Sequence, residues 1–107
     1  MESFLQITTT TESKEEAEII AQHLVGKKLA ACVQILGPIT STYRWRDKVE
    51  TAEEWLCLIK TREGLYKELE KAIISLHSYE TPEIIAVPIT RGSPGYLNWL
   101  DDQLAND

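Results

Sequence analysis

Between Ile39 and Lys60 the sequence ITSTYRWRDKVETAEEWLCLIK reads as one long β-hairpin. Its first arm, Ser41-Thr42-Tyr43-Arg44-Trp45, is rich in the β-branched and aromatic residues that fit a pleated surface. Its second arm ends in Trp55-Leu56-Cys57-Leu58-Ile59, and Arg46-Asp47-Lys48 supplies a short polar turn. Asp47 tolerates the left-handed backbone that tight hairpin turns require. Few chains of 107 residues spend so much of their length on one ribbon. A two-stranded ribbon is marginally stable alone in water, so any part that overhangs the domain needs a partner. A second copy of the same chain is the simplest one.

The remaining elements follow from periodicity and punctuation. Phe4–Thr10 predicts a first strand. Ser13-Lys14-Glu15-Glu16 is a capping-box pattern, in which the Ser13 hydroxyl and the Glu16 carboxylate can each satisfy a free backbone N–H. The helix that follows puts Ala17, Ile20, Ala21 and Leu24 on one face, and Gly26 with Lys27-Lys28 reads as its stop. Leu29–Leu36 is nearly all apolar and reads as a short link into a well-buried second strand, which Gly37-Pro38 separates from the hairpin arm. Thr61 can cap a second helix with Leu65, Leu69, Ala72, Ile73 and Leu76 inward, ending near His77. Glu83–Ile89 is the last strand. Pro88 places it at a sheet edge, although Ile84–Val87 is apolar throughout. Ser93-Pro94 opens a closing helix with Tyr96, Leu97, Leu100 and Leu104 in its stripe and Trp99 flanking it.

The order β-α-β-β-α-β plus a terminal helix predicts an α+β fold: one ferredoxin-like sandwich spanning residues 1–107, with a long hairpin and a short C-terminal helix. Helices cover only one face of such a sheet. The opposite face, the ribbon and the last strand are left to be covered, which favours a closed trimeric ring of subunits.

Composition removes several function classes. Eleven Lys and Arg against 17 Asp and Glu give a net charge of −6, which speaks against nucleic acid as a partner. No apolar run reaches membrane length, so no membrane association is expected. Cys32 and Cys57 form no CxxC, and the expected state is two thiols in a reducing cytoplasm; a disulfide requires the strands to bring them within bonding distance. The sequence shows no Gly-rich phosphate cradle and no nucleophile–base pair, so no enzyme activity is expected.

Five blocks, Lys28-Leu29-Ala30-Ala31-Cys32, Tyr43-Arg44-Trp45, Leu58-Ile59-Lys60-Thr61, His77–Ile84 and Tyr96–Leu100, closely resemble the CutA divalent-cation tolerance family. The resemblance spans almost the whole chain. It implies a cytoplasmic homotrimer of ferredoxin-like subunits linked to tolerance of divalent metals, copper above all. It also implies His77 and Cys32 as metal ligands. Leu76 stands where some members carry a second histidine, and Thr8–Thr9 where some carry a further cysteine. No cofactor is required; Cu2+ or another divalent cation is the expected ligand. The residues themselves suggest a polar ligand-binding pocket built from Lys60, Tyr79, Glu83 and Trp99, with Tyr43, Trp45 and Trp55 as oligomer-interface anchors. The competing function is a PII-like trimer that acts as a small-ligand signalling or scaffold protein.

Overall fold

The structure, a computed structural model, describes residues 3–106. Four strands, β1 (Phe4–Thr11), β2 (Cys32–Trp45), β3 (Lys48–Arg62) and β4 (Ile85–Ile89), form one antiparallel sheet in the order β2-β3-β1-β4. Helices α1 (Lys14–Gly26), α2 (Tyr66–Leu76) and α3 (Pro94–Asp102) complete the expected α+β ferredoxin-like order. β4 is an edge strand, as Pro88 requires.

The core lies between the sheet and α1 with α2. Ile7, Cys57 and Ile59 point from the strands toward Ala17, Ile20 and Leu24 of α1 and Leu69 and Ile73 of α2, and all are buried. Ser13 caps α1 by accepting from the Glu16 amide at 3.1 Å. The other half of the capping box is spent elsewhere: the Glu16 carboxylate accepts from the Ser78 amide at 2.6 Å and the Ser78 hydroxyl at 3.1 Å. At the far end of α1 the left-handed residue is Lys28 (φ 59°), not Gly26. Thr61 does not cap α2. It lies inside β3 and donates to the Leu29 carbonyl at 2.6 Å, and a 3-10 turn over Glu63–Leu65 leads into the helix.

Gly37-Pro38 does not end a strand. β2 runs unbroken through it, and the register with β3 slips between Leu36 and Ile39 in a bulge. The bulge makes room for Trp55, whose indole lies against Gly37 and the core. β2 is also less buried than its composition suggests, because it is the other sheet edge and Leu36 faces the uncovered side. Arg46 and Asp47 both take positive φ (51° and 66°), as a two-residue hairpin turn demands. β1 pairs with β3 only from Arg62 to Trp55. Beyond that point Ile39–Trp45 and Lys48–Glu54 have, among the described residues, only each other as strand partners, and the ribbon stretches the molecule to 45 × 25 × 21 Å.

The sheet face away from α1 and α2 carries Leu36, Ile85 and Val87 at 47%, 55% and 50% exposure. α3 is pinned at one end of the sheet by Arg62. The guanidinium contacts Asp101 Oδ1 at 3.0–3.1 Å and donates to the Ala105 carbonyl at 2.8 Å. Leu97, Leu100 and Leu104 turn inward, while Tyr96 joins Trp99 on the outside, their rings 5.6 Å apart.

Candidate functional site

Where the ribbon leaves the sheet, its root meets the end of β1 and the loop after α2. The junction is a cleft of about 560 Å³ lined by Thr10, Ser41, Thr42, Tyr43, Trp45, Glu54, Tyr79, Glu80, Thr81 and Glu83. Its floor is Glu54, a carboxylate on a residue only 8% exposed. Glu54 Oε2 accepts from the Tyr79 hydroxyl at 2.8 Å. Burial first, then the bond to Glu54 and the charges of Glu54 and Glu12, hold the Tyr79 phenol above its usual range, so it stays a proton donor. Tyr43 and Trp45, 44% and 51% exposed, form the ribbon wall.

The loop that supplies Tyr79 is held by His77. Its side chain is 0% exposed. Nδ1 accepts from the Tyr79 amide at 3.1 Å, so Nε2 carries the proton and donates to the Thr10 carbonyl at 2.7 Å. The imidazole thus ties β1, the end of α2 and the cleft loop together, and both nitrogens are in use.

The expected metal pair is therefore not assembled within one chain. Cys32 pairs with Lys60, level with Gln6, whereas His77 is tied to Thr10. The offset is about 13 Å along the strands and roughly 10 Å across them. Among the described residues, no three His, Cys, Asp or Glu side chains gather to hold an ion. The four-residue pocket is divided as well. Tyr79 and Glu83 share the cleft. Lys60 instead donates to Gln34 Oε1 at 2.6 Å, and Trp99 sits on α3 beside Tyr96. Of the three aromatic anchors, Tyr43 and Trp45 line the cleft, while Trp55 is half-buried against its own core. The cleft residues that sequence reading missed are Thr10, Ser41, Thr42, Glu54, Glu80 and Thr81. One signal could have found Glu54: strand alternation from Leu58 and Leu56 places it on the face away from α1 and α2.

Cys32 and Cys57 are both free thiols. Cys57 pairs with Ile35, three residues along from Cys32 and on the opposite face, so they form no disulfide. Burial, then the charge of Glu16, pushes the Cys57 thiol from 9.0 up to about 11. A raised thiol favours the folded state while it is protonated. That stabilisation, on the order of 2–3 kcal/mol, is fully present below pH 9.0 and is lost as pH rises through about 11. At pH 8 the native thiolate fraction is about a hundredfold below that of an ordinary thiol. Cys57 is also fully buried, so iodoacetamide should label it in a Cys32→Ser chain at least about a hundredfold more slowly before unfolding than after; equal rates would refute the burial argument.

A βαββαβ sandwich with an overhanging ribbon and an anionic, aromatic-walled cleft at the ribbon's root defines the class. The profile of the CutA1 divalent ion tolerance proteins matches residues 5–103, and the chain belongs to that family. It is similar to the divalent-cation tolerance protein CutA of Archaeoglobus fulgidus, 45% identical over 95% of this chain and 97% of that one. The structure of that protein, described as periplasmic, superposes with a TM-score of 0.92 at 43% identity, covering 95% and 99% of the two chains. CutA1 from Oryza sativa superposes with a TM-score of 0.95 at 38% identity, over 98% and 96% of the chains. The chloroplastic CutA of Arabidopsis thaliana is 41% identical over 94% of this chain, which spans only 55% of that longer protein. Among the described residues no helix is long and apolar enough to cross a membrane.

Proposed function

We propose that this chain is a non-catalytic homotrimer that binds copper or another divalent cation weakly at clefts between its copies, and so supports tolerance of such metals in the cytoplasm. The observation that carries this reading is the ribbon, whose outer residues Ile39–Trp45 and Lys48–Glu54 have, among the described residues, no strand partner but each other. Both sheet edges and the apolar face bearing Leu36, Ile85 and Val87 make the same demand for a neighbour. Divalent-cation tolerance enters from the names of the family and its relatives. The free thiols of Cys32 and Cys57 suit a reducing compartment, although the Archaeoglobus relative is described as periplasmic.

With no three-ligand cluster among the described residues of one chain, a metal ion has to draw its ligands from more than one copy, which keeps affinity low. The half-buried thiol of Cys32 on edge strand β2 is the soft donor within reach of such a join. His77 could ligate only by releasing Thr10 or Tyr79.

Sedimentation at micromolar concentration should give the mass of three chains; a stable, folded single chain would sink the trimer. Copper calorimetry should give a weak, saturable heat that disappears in Cys32→Ser. No heat from the native protein would remove the metal half of the proposal and leave the assembly standing.

A further inference from the structure

The loop after α2 leaves the helix layer and ends at the ribbon root, and three consecutive residues tie it to three different elements. His77 donates through Nε2 to the Thr10 carbonyl of β1 at 2.7 Å. Ser78 is held by α1: its amide donates to Glu16 Oε2 at 2.6 Å and its hydroxyl to Glu16 Oε1 at 3.1 Å. Tyr79 donates its hydroxyl to Glu54 of β3 at 2.8 Å. The anchors are also joined to one another. His77 Nδ1 accepts from the Tyr79 amide at 3.1 Å, and the two rings lie 4.9 Å apart.

Three adjacent residues share a handful of backbone dihedrals, so their anchors cannot move independently. If Ser78 lets go of Glu16, the peptide that presents Tyr79 to Glu54 is free to turn. The outer anchors are the strong ones, because each is a carboxylate and charge-assisted bonds are about twice as strong as neutral ones. The Glu16 side chain is only 13% exposed, so solvent and salt weaken its hold little.

The two carboxylates also sit on different layers. Glu16 belongs to the helix layer, opposite the apolar sheet face. Glu54 belongs to the ribbon root, where the proposed assembly brings a neighbour. A neighbour that covers Glu54 excludes water from its bond to Tyr79, which strengthens that bond and favours the docked loop. Linkage makes the effect reciprocal: whatever favours the docked loop favours the neighbour's contact by the same factor.

We infer that residues 77–79 couple the helix layer to the joint between copies, and that Glu16 is a positioning residue which tightens assembly from the layer the neighbours leave uncovered. The inference rests on the assembly proposed above. It gives a reason for Glu16 to spend its carboxylate on Ser78 rather than on the start of its own helix.

The test mixes the full chain with an isotope-labelled copy and follows both by native mass spectrometry. One measurement then gives the mass of the assembly and the rate at which subunits exchange, at a temperature where the native protein exchanges over hours. Glu16→Ala should exchange about tenfold faster than native. Ser78→Ala, which loses only the longer bond, should exchange about threefold faster and carries the same comparison if Glu16→Ala does not fold. Glu15→Ala, exposed on the same turn, should exchange at the native rate. A general loosening of the fold is separated from coupling by a double-mutant cycle. Tyr79→Phe cuts the path at Glu54, so adding Glu16→Ala to it should change the rate by less than about twofold. A native trimer with native exchange in Glu16→Ala, or with the full tenfold effect retained in the Tyr79→Phe background, would overturn the coupling and leave the assembly standing. A native mass of one chain would overturn both together.

Discussion

Replacing His77 by alanine is expected to destabilise the protein by about 3 kcal/mol while leaving its copper heat intact. The substitution removes a side chain that is 0% exposed and strands two backbone groups, the Thr10 carbonyl and the Tyr79 amide. Each buried polar group left unsatisfied costs about 1–3 kcal/mol, and water entering the vacated space recovers part of that. For a domain of this size the midpoint of thermal unfolding should fall by about 15 °C, compared at one fixed chain concentration because assembly adds to apparent stability. The effect should reach the cleft as well. Tyr79 is held by its amide on His77 and by its hydroxyl on Glu54, so losing the first bond loosens the second. His77→Gln, with a donor and an acceptor on one amide, should recover part of the loss. A variant with native stability and no copper heat would reverse the assignment and make His77 a ligand rather than a clamp.

That outcome separates what the sequence discloses from what it conceals. Helices and strands were legible because they rest on local periodicity: Ala17, Ile20 and Leu24 recur at helical spacing, and all are buried. The edge position of β4 was legible because Pro88 cannot donate to a ladder. His77 was noticed for its chemistry, and its partners were hidden because Thr10 lies 67 residues away. Glu54 passed unnoticed for the same reason, since Tyr79 is 25 residues further on. Register is why one chain does not bring Lys60 together with Tyr79, Glu83 and Trp99 in the expected pocket. Lys60 stands opposite Gln6 and Cys32, whereas Glu83 precedes β4 and opens onto the cleft at the other end of β1. Gly37-Pro38 misled in a further way. Such a pair usually ends a strand, but an edge strand can absorb it in a bulge when a neighbouring side chain needs the space. Local signals report what a segment prefers, and the contacts that make the cleft belong to the assembled sheet.

The bulge yields the second large effect. Gly37→Ala is expected to cost about 3 kcal/mol, far more than adding one methyl group to an exposed strand usually does. A Cβ at that position would stand 2.3 Å from Trp55 Cδ1, 2.7 Å from Cγ and 2.8 Å from Nε1. No positive φ is involved, so the demand for glycine is one of space. The obstacle is a rigid indole whose ring packs against the buried core, and it cannot swing aside as the end of a lysine would. Either the ring leaves its place, exposing apolar surface, or the bulge opens and the Leu36–Leu56 and Ile39–Glu54 pairs slip. The second route would displace Glu54 and so damage the cleft, and the Trp55 indole N–H resonance should move in both cases. Gly95→Ala is the control. Its added Cβ meets nothing within 4 Å, and it lies in α3, where alanine should stabilise by about 0.5–1 kcal/mol. If the two alanines had equal effects, the close approach of Trp55 to Gly37 would not be what holds the ribbon in register.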